Sequence, residues 1–159
     1  MQQTGAGPLD DPADGVAPAL ASRLGYLVKH AHARLSELTA DALAPLRITG
    51  RELAVLVAID DRVPLSQQEA ARRLGVDRTT MVALIDDLEG KGLVRRQQDP
   101  ADRRRNAVAL TGSGRDTLDG ATAAAQRAEQ EFLRPLPDAQ ATAFRQALRA
   151  LAFPADFPR

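Results

Sequence analysis

The chain has 159 residues and a formal net charge of zero, so it has room for one small domain plus elements that pack against a partner, and bulk charge alone does not predict nucleic-acid binding. It contains no cysteine, which excludes disulfides, thiolate metal sites and thiol-based redox sensing. Hydrophobic residues make up 44% of the chain but aromatic residues only 3%, which predicts a mainly helical fold. No apolar run approaches the length of a membrane span, and residues 1–18 are rich in Gly, Pro and Asp, so we expect a cytoplasmic protein with a flexible N-terminal tail.

Two helices are predicted in the first part of the chain. Apolar residues recur at helical spacing from Leu20 to Leu38 and predict a long amphipathic first helix. The sequence Thr49-Gly-Arg-Glu52 is a capping box, in which the hydroxyl and the carboxylate satisfy each other's backbone N–H groups. It predicts a second helix that runs to about Asp60.

The next two helices are predicted to follow each other closely. The sequence Ser66-Gln-Gln-Glu69 repeats the capping-box pattern and predicts the start of a third helix, which ends at Gly75 because glycine tolerates the left-handed conformation. Asp77 can cap a fourth helix that ends near Gly90. The third helix is therefore short, and the turn between the two helices is tight.

The second half of the chain is predicted to form a hairpin and two more helices. Residues 93–97 and 106–111 have the pattern of short strands, and the polar loop 98–105 contains a proline that keeps it irregular. A fifth helix is predicted from Ser113, with apolar residues at coiled-coil-like spacing. A sixth is predicted from Asp138, and we expect it to bury Phe144, Ala147, Leu148 and Leu151.

The third and fourth helices together have the pattern of a helix-turn-helix. Small Ala71 lets the helices cross closely, and apolar Met81 and Leu84 hold the second helix at a fixed angle. The outward face of this helix would then be open to a major groove, and its N-terminal half carries residue types that bind base edges or phosphates. The predicted recognition residues are Asp77, Arg78, Thr79, Thr80 and Ala83. A capping role for the two threonines fits the sequence equally well.

The hairpin that follows has the position of a wing. Six basic and two acidic residues lie between Lys91 and Arg105, so positive charge is concentrated on this segment. A wing tip can reach the DNA backbone or a narrow minor groove. The predicted wing residues are Asp102, Arg103, Arg104 and Arg105, with the carboxylate holding a neighbouring arginine in a fixed orientation. Further contacts to the DNA backbone are predicted for Ser66, Gln67, Lys91 and Arg95.

Three motifs carry a resemblance to the multiple antibiotic resistance regulator (MarR) family, which extends from about Leu20 to Leu151. They are Ser66-Gln-Gln-Glu-Ala-Ala-Arg-Arg-Leu-Gly-Val-Asp-Arg-Thr-Thr80, Leu84-Ile-Asp-Asp-Leu-Glu-Gly-Lys-Gly-Leu-Val-Arg95, and Asp102-Arg-Arg104 running into Val108-Ala-Leu-Thr111. The resemblance implies a homodimer built from the first and last helices, a recognition helix from about Asp77, and a wing whose Asp102 and Arg104 match the family's Asp-x-Arg tip. It also implies repression or activation of a gene, relieved by a small ligand that binds between the dimerisation and DNA-binding regions. The resemblance implies no catalytic activity, and we expect no cofactor.

The predicted organisation places a DNA-binding domain between two dimerisation segments. A winged helix of residues 47–112 is already a closed unit, so the apolar stripes outside it need another surface, part of which a twofold partner supplies. Residues 19–46 and 113–153 are therefore assigned to dimerisation, with tails at 1–18 and 154–159. The predicted fold is mainly α, an α+β winged helix-turn-helix with six helices and a two- to three-stranded wing. In a dimer, paired recognition helices would meet major grooves about 34–36 Å apart on a pseudo-palindromic site.

A ligand site is predicted on one flank of the first helix. His30 and His32 are the chain's two histidines, and their spacing points them to different faces, which disfavours a metal site. His30 shares its flank with Arg23 and Arg34, beside the apolar stripe. We predict that a small acidic, aromatic or phenolic effector binds there, to Arg23, Tyr26, His30 and Arg34.

The sequence is compatible with two functions, a DNA-binding repressor and a protein-interaction module. The sequence lacks a Gly-rich phosphate loop and an ordered Ser/His/Asp set, and its carboxylates fall on predicted caps or solvent faces, so we do not expect an enzyme. The favoured function is a sequence-specific, ligand-responsive repressor that binds double-stranded DNA as a homodimer. The alternative is a winged-helix protein-interaction module that does not bind DNA, with which the net charge of zero agrees.

Overall fold

The computed structural model describes residues 18–60, 65–98 and 106–154. Within these residues the helices are α1 (Pro18–Ala21), α2 (Leu24–Leu43), α3 (Gly50–Ile59), α4 (Gln67–Leu74), α5 (Arg78–Gly90), α6 (Gly112–Leu133) and α7 (Asp138–Ala152), with a short 3-10 helix at Ala44–Leu46. The strands are β1 (Leu65–Ser66), β2 (Val94–Gln98) and β3 (Asn106–Leu110). The prediction of a mainly helical winged helix-turn-helix is confirmed. None of the helices in this part of the chain is long and apolar enough to cross a membrane.

The chain divides into two compact units, Met1–Arg34 and Leu35–Arg159. In the first unit, the predicted single helix from Leu20 is interrupted at Ser22 and Arg23, so the described residues form seven helices rather than six. The Ser22 hydroxyl donates a hydrogen bond to the Ala19 carbonyl at 3.4 Å, a local bond of the kind that competes with regular helix. The predicted apolar stripe of this unit is exposed at Leu20, Leu24, Leu27 and Val28.

In the second unit, the predicted caps start the three central helices. The Thr49 hydroxyl accepts the Glu52 N–H at 3.2 Å, and the Glu52 carboxylate accepts the Thr49 N–H at 2.8 Å, which completes the capping box of α3. The Ser66 hydroxyl accepts the Glu69 N–H at 3.2 Å at the start of α4. Asp77 caps α5 through its side chain. These bonds satisfy N–H groups that a helix start leaves without partners.

The core of this unit lies between the central helices and a small antiparallel sheet with strand order β1-β3-β2. The register pairs Leu65 with Val108 and Val94 with Leu110. The largest fully buried side chains are Leu43, Val55, Leu56, Met81, Ile85, Leu88 and Val108. Because α5 contributes three of them at helical spacing, one face of α5 is fixed in the core and the opposite face is left outside.

The last helix differs from its prediction. The sequence pattern predicts that α7 buries its apolar face, but none of its residues is buried in the single protomer, and Phe144, Ala147, Leu148 and Leu151 are all exposed. An ion pair of 2.7 Å between Arg145 and Glu129 joins α7 to α6. The apolar periodicity therefore identifies the helix correctly, but it does not identify the surface that covers its apolar face.

Candidate nucleic-acid interface

The helix-turn-helix consists of α4, the turn of residues 75–77, and α5. Gly75 adopts the left-handed conformation with φ of 64°, which favours glycine. The Val76 N–H returns to the Ala71 carbonyl at 3.1 Å and closes the end of α4. Ala71 is buried, and its small side chain allows α4 and α5 to cross closely.

The exposed face of α5 carries most of the predicted recognition residues. Arg78, Thr79 and Ala83 are exposed, whereas Asp77 and Thr80 bind each other. The Asp77 carboxylate accepts the Thr80 N–H at 2.9 Å and the Thr80 hydroxyl at 2.6 Å, and these hydrogen bonds lower the pKa of Asp77 below its ordinary value. The structure thus brings the five residues together at one helix end, where two of them form the cap.

The wing is described at its base only. Strands β2 and β3 pair from Val94 opposite Leu110 to Gln98 opposite Asn106. The predicted tip residues Asp102, Arg103, Arg104 and Arg105 lie outside the described residues. Arg95, predicted to contact the DNA backbone, is exposed on β2.

An ion-pair cluster that was not predicted from the sequence joins the wing to α5. The Arg96 guanidinium on β2 pairs with both Asp86 and Glu89 of α5, and the Arg96 N–H donates to the Glu89 carboxylate at 3.1 Å. The hydrogen bond to Asp86 is the main cause that raises the pKa of Arg96 above its ordinary value. The spacing of Asp86 and Glu89 by three residues was a signal of a shared helix face, but it did not identify which of the nearby basic residues would bind there.

Two residues predicted to contact the DNA backbone also have structural partners. The Lys91 ammonium donates to the buried Glu52 carboxylate at 2.5 Å, and the Ser66 hydroxyl caps α4. Gln67, in the first turn of α4, is half-buried. Burial raises the pKa of Glu52, but the hydrogen bonds from Lys91 and Thr49 outweigh it, so the pKa lies below its ordinary value. Lys91 therefore ties the end of α5 to the start of α3.

The predicted effector residues all lie in the first unit. The rings of Tyr26 and His30 have centroids 4.0 Å apart and an interplanar angle of 36°. Tyr26 is half-buried, while Arg23, His30 and Arg34 are exposed. α2 thus carries a tilted pair of rings and the exposed Arg34, while Arg23 lies in the break before α2. Among the described residues no cluster of three His, Asp or Glu side chains could hold a metal ion.

Sequence comparison places this chain among known regulators. The sequence model of the MarR family matches residues 48–105. The HTH-type transcriptional repressor NicR of Pseudomonas putida is 26% identical over 144 residues, which span 91% of each chain. The transcriptional regulator HosA of Escherichia coli O111:H- is 32% identical over 104 residues, which span 65% of this chain and 77% of HosA.

Solved structures give the same result at the level of the fold. The transcriptional repressor CouR bound to a 23-mer DNA duplex is 34% identical, with a TM-score of 0.78 over 86% of this chain and 96% of CouR. CouR from Rhodococcus jostii RHA1 bound to p-coumaroyl-CoA is 31% identical, with a TM-score of 0.76 over 89% of this chain and all of CouR. The present chain therefore belongs to the MarR family and is a transcriptional regulator.

Proposed function

We propose that this regulator is a homodimeric repressor that reads a pseudo-palindromic operator with the N-terminal half of α5 and the tips of its wings. The observation that carries the proposal is that α5 is buried on one face and exposed on the opposite face. Met81 and Ile85 are fixed in the core, whereas Arg78 and Thr79 stand exposed on the first turn. Arginine and threonine side chains at such a position suit base edges and phosphates in a major groove. The regulator would act by binding its operator, without catalysing a reaction. We expect it to act in the cytoplasm, where its operator would lie.

Charge indicates which end of α5 approaches the DNA. Asp86 and Asp87 are exposed in its C-terminal half, and carboxylates are repelled by phosphates. Arg96 neutralises part of this charge by pairing with Asp86. We therefore infer that the N-terminal end of α5 enters the groove, while the C-terminal end stays farther from the backbone.

A salt titration of DNA binding tests the function. Fluorescence anisotropy with selected operator fragments should give a logarithm of affinity that falls linearly with the logarithm of salt concentration, because bound phosphates release counterions. Arg104→Ala should weaken binding to all sequences and lower the slope by about one for each wing. Thr79→Ala should change sequence preference more than total affinity.

The control is Arg149→Ala, which removes an exposed arginine of α7 outside the winged helix. This variant should leave the slope of log affinity against log salt concentration unchanged. A flat salt dependence of the wild type would contradict DNA binding and favour a protein-interaction module. An equal loss on all sequences for Thr79→Ala and Arg104→Ala would contradict the assignment of the recognition residues.

We further propose that a small acidic or phenolic effector relieves repression by binding beside Arg23, Tyr26, His30 and Arg34. The tilted pair of rings and the exposed guanidinium groups suit an aromatic acid, and the complex of CouR with p-coumaroyl-CoA supports a phenolic ligand. Hydroxylated benzoic and cinnamic acids should release the operator from wild type and release it less effectively from Arg34→Ala, with Arg149→Ala as the control. No release from wild type, or an unchanged response of Arg34→Ala, would contradict the site.

A further inference from the structure

The turn that follows α5 is held by the residue that starts α6. Thr111, the N-cap of α6, donates its hydroxyl to the Gly92 carbonyl at 2.7 Å and to the Leu93 carbonyl at 3.1 Å. Its backbone N–H also donates to the Leu93 carbonyl, at 3.0 Å. One residue therefore binds two carbonyls of the turn between α5 and β2 and, through the same hydroxyl, accepts the Gly114 N–H at 2.9 Å.

The same contact brings the backbone of α6 directly onto this turn. A Cβ atom on Gly114 would lie 1.9 Å from the Leu93 carbonyl oxygen, far inside any real contact distance. Only a residue without a side chain fits there. The separation of α6 from the turn between α5 and β2 is thus set by backbone against backbone, with no flexible side chain between them.

The length of α6 amplifies any change at this contact. The helix has 22 residues, which corresponds to about 33 Å, so a tilt of about 10° at its start displaces its far end by about 6 Å. Successive bases along a DNA strand are about 3.4 Å apart. A small change of angle between α5 and α6 would therefore move one recognition helix relative to the other by more than one base pair.

We propose that Thr111 and Gly114 are positioning residues that fix the angle between α5 and α6 and so set the half-site spacing that the dimer accepts. The proposal rests on the homodimeric, operator-binding function proposed above, with α6 in the dimer interface. Neither residue contacts DNA in this scheme. The sequence read within a half-site depends on the exposed face of α5, whereas the distance between half-sites depends on Thr111 and Gly114.

The absence of cysteine from the chain allows a direct test without DNA. Ala83→Cys places a single nitroxide label on the exposed face of α5, and pulsed electron spin resonance of the dimer then measures the distance between the two recognition helices. The test variants in this background are Gly114→Ala, which forces α6 away from Leu93, and Thr111→Asp. An aspartate keeps the cap acceptor for the Gly114 N–H but has no proton to donate to the two carbonyls. Thr111→Ser keeps both functions and is the matched control.

We expect Thr111→Ser to reproduce the wild-type distance, and Gly114→Ala and Thr111→Asp to shift or broaden the distance distribution by about 3 Å or more. The unlabelled variants should also be tested on a library of operators with variable spacers between the half-sites. Both should select a spacer that differs by at least one base pair from the spacer that the wild type selects, with an unchanged half-site sequence. If Gly114→Ala fails to fold, Thr111→Asp decides the question.

An unchanged distance and spacer preference in folded, dimeric Thr111→Asp would overturn the inference. So would an altered half-site sequence at constant spacing, because that result would place these residues in base recognition. If the labelled wild type gives no intermolecular distance at all, the homodimer itself is contradicted, and the positioning role is rejected with it.

Discussion

Glu52 is the one buried charged residue in the part of the chain that the structure describes, with 3% of its surface exposed. Its carboxylate accepts hydrogen bonds from the Thr49 N–H at 2.8 Å and from Lys91 at 2.5 Å. A buried carboxylate is tolerated only when such partners replace water. The residue therefore has two roles: it completes the capping box of α3, and it binds Lys91 at the end of α5.

We expect Glu52→Gln to lower the free energy of unfolding at pH 7 by about 1–2 kcal/mol. The amide retains an acceptor for Thr49 but not the charge that binds Lys91, and the partial exposure of Lys91 limits the loss. Because the folded-state pKa of Glu52 is lowered, the stabilisation is fully present above the unfolded-state pKa of about 4.3 and is lost as the pH falls through the lower folded-state pKa.

Urea unfolding at a series of pH values measures this effect. The difference between wild type and Glu52→Gln should be constant near neutral pH. It should narrow below about pH 4, as the unfolded state takes up a proton at Glu52, and level off only below the lowered folded-state pKa, where Glu52 is protonated in both states. Glu37→Gln, at an exposed position of α2, is the control and should change stability little at any pH. A difference between wild type and Glu52→Gln that stays constant throughout would contradict the role of the carboxylate charge.

At the scale of elements, the two ends of α5 are held differently. The N-terminal end is stabilised locally, by Asp77 and Thr80. The C-terminal half is bound to its neighbours, through Lys91 to α3 and through Arg96 to β2. The wing base and the recognition helix are therefore coupled, and we expect them to move as one body when the protein docks.

Arg96→Met should weaken DNA binding by about threefold to tenfold even though Arg96 acts within the protein. The change leaves the carboxylates of Asp86 and Glu89 without their cation, which adds negative charge to α5 and loosens the wing. The free energy of unfolding should fall by about 1 kcal/mol or less, since the Arg96–Asp86 pair is partly exposed and such pairs contribute little.

A double-mutant cycle measured by operator binding checks this explanation. Asp86→Asn should recover more affinity in the Arg96→Met background than it gains in the wild type, because the two residues act as a pair. If Arg96 binds a phosphate directly, the cycle will show no coupling, and Arg96→Met will instead lower the salt dependence by about one counterion for each protomer.

The element starts could be predicted because their signals are local. Thr49 and Glu52 act within a single helical turn, so their spacing in the sequence is also their spacing in space. The interruption at Ser22 was not predicted, because the apolar periodicity continues across it. The sequence predicted that part of the surface covering α7 comes from a partner, but not that the helix would have no buried residue within the protomer, since periodicity identifies an apolar face and not what covers it.

Part of the candidate site could be predicted from the sequence, but its long-range ion pairs could not. The exposed face of α5 follows from the positions of Met81 and Ile85 alone. In contrast, Lys91 and Glu52 are 39 positions apart, and nothing local selects one partner for Lys91 over another. Which residues form such long-range pairs depends on how the helices pack against each other. A single sequence does not show this packing directly.

At the scale of the whole molecule, the exposed side of α7 indicates a missing partner. Leu148 and Leu151 are 44% and 76% exposed, and Phe144 and Phe153 are also exposed. Burying a side chain of this type contributes about 1.5–3 kcal/mol. A second copy of the chain, presenting the same helix, would cover this face and account for an amphipathic helix that has no buried residue of its own.

Leu148→Asp combined with Leu151→Asp should therefore convert the dimer into a folded monomer, because four introduced charges per dimer would have to be desolvated at the interface. Sedimentation velocity over a range of concentrations measures the change, and circular dichroism checks that the helices are retained. Gln146→Asp introduces the same side chain on the polar side of α7 and should leave the dimer intact. Binding to the full palindrome should fall steeply in the monomeric variant, while weak binding to an isolated half-site should persist, since each recognition helix remains in place. A double variant that sediments as a dimer would show that α7 does not hold the protomers together.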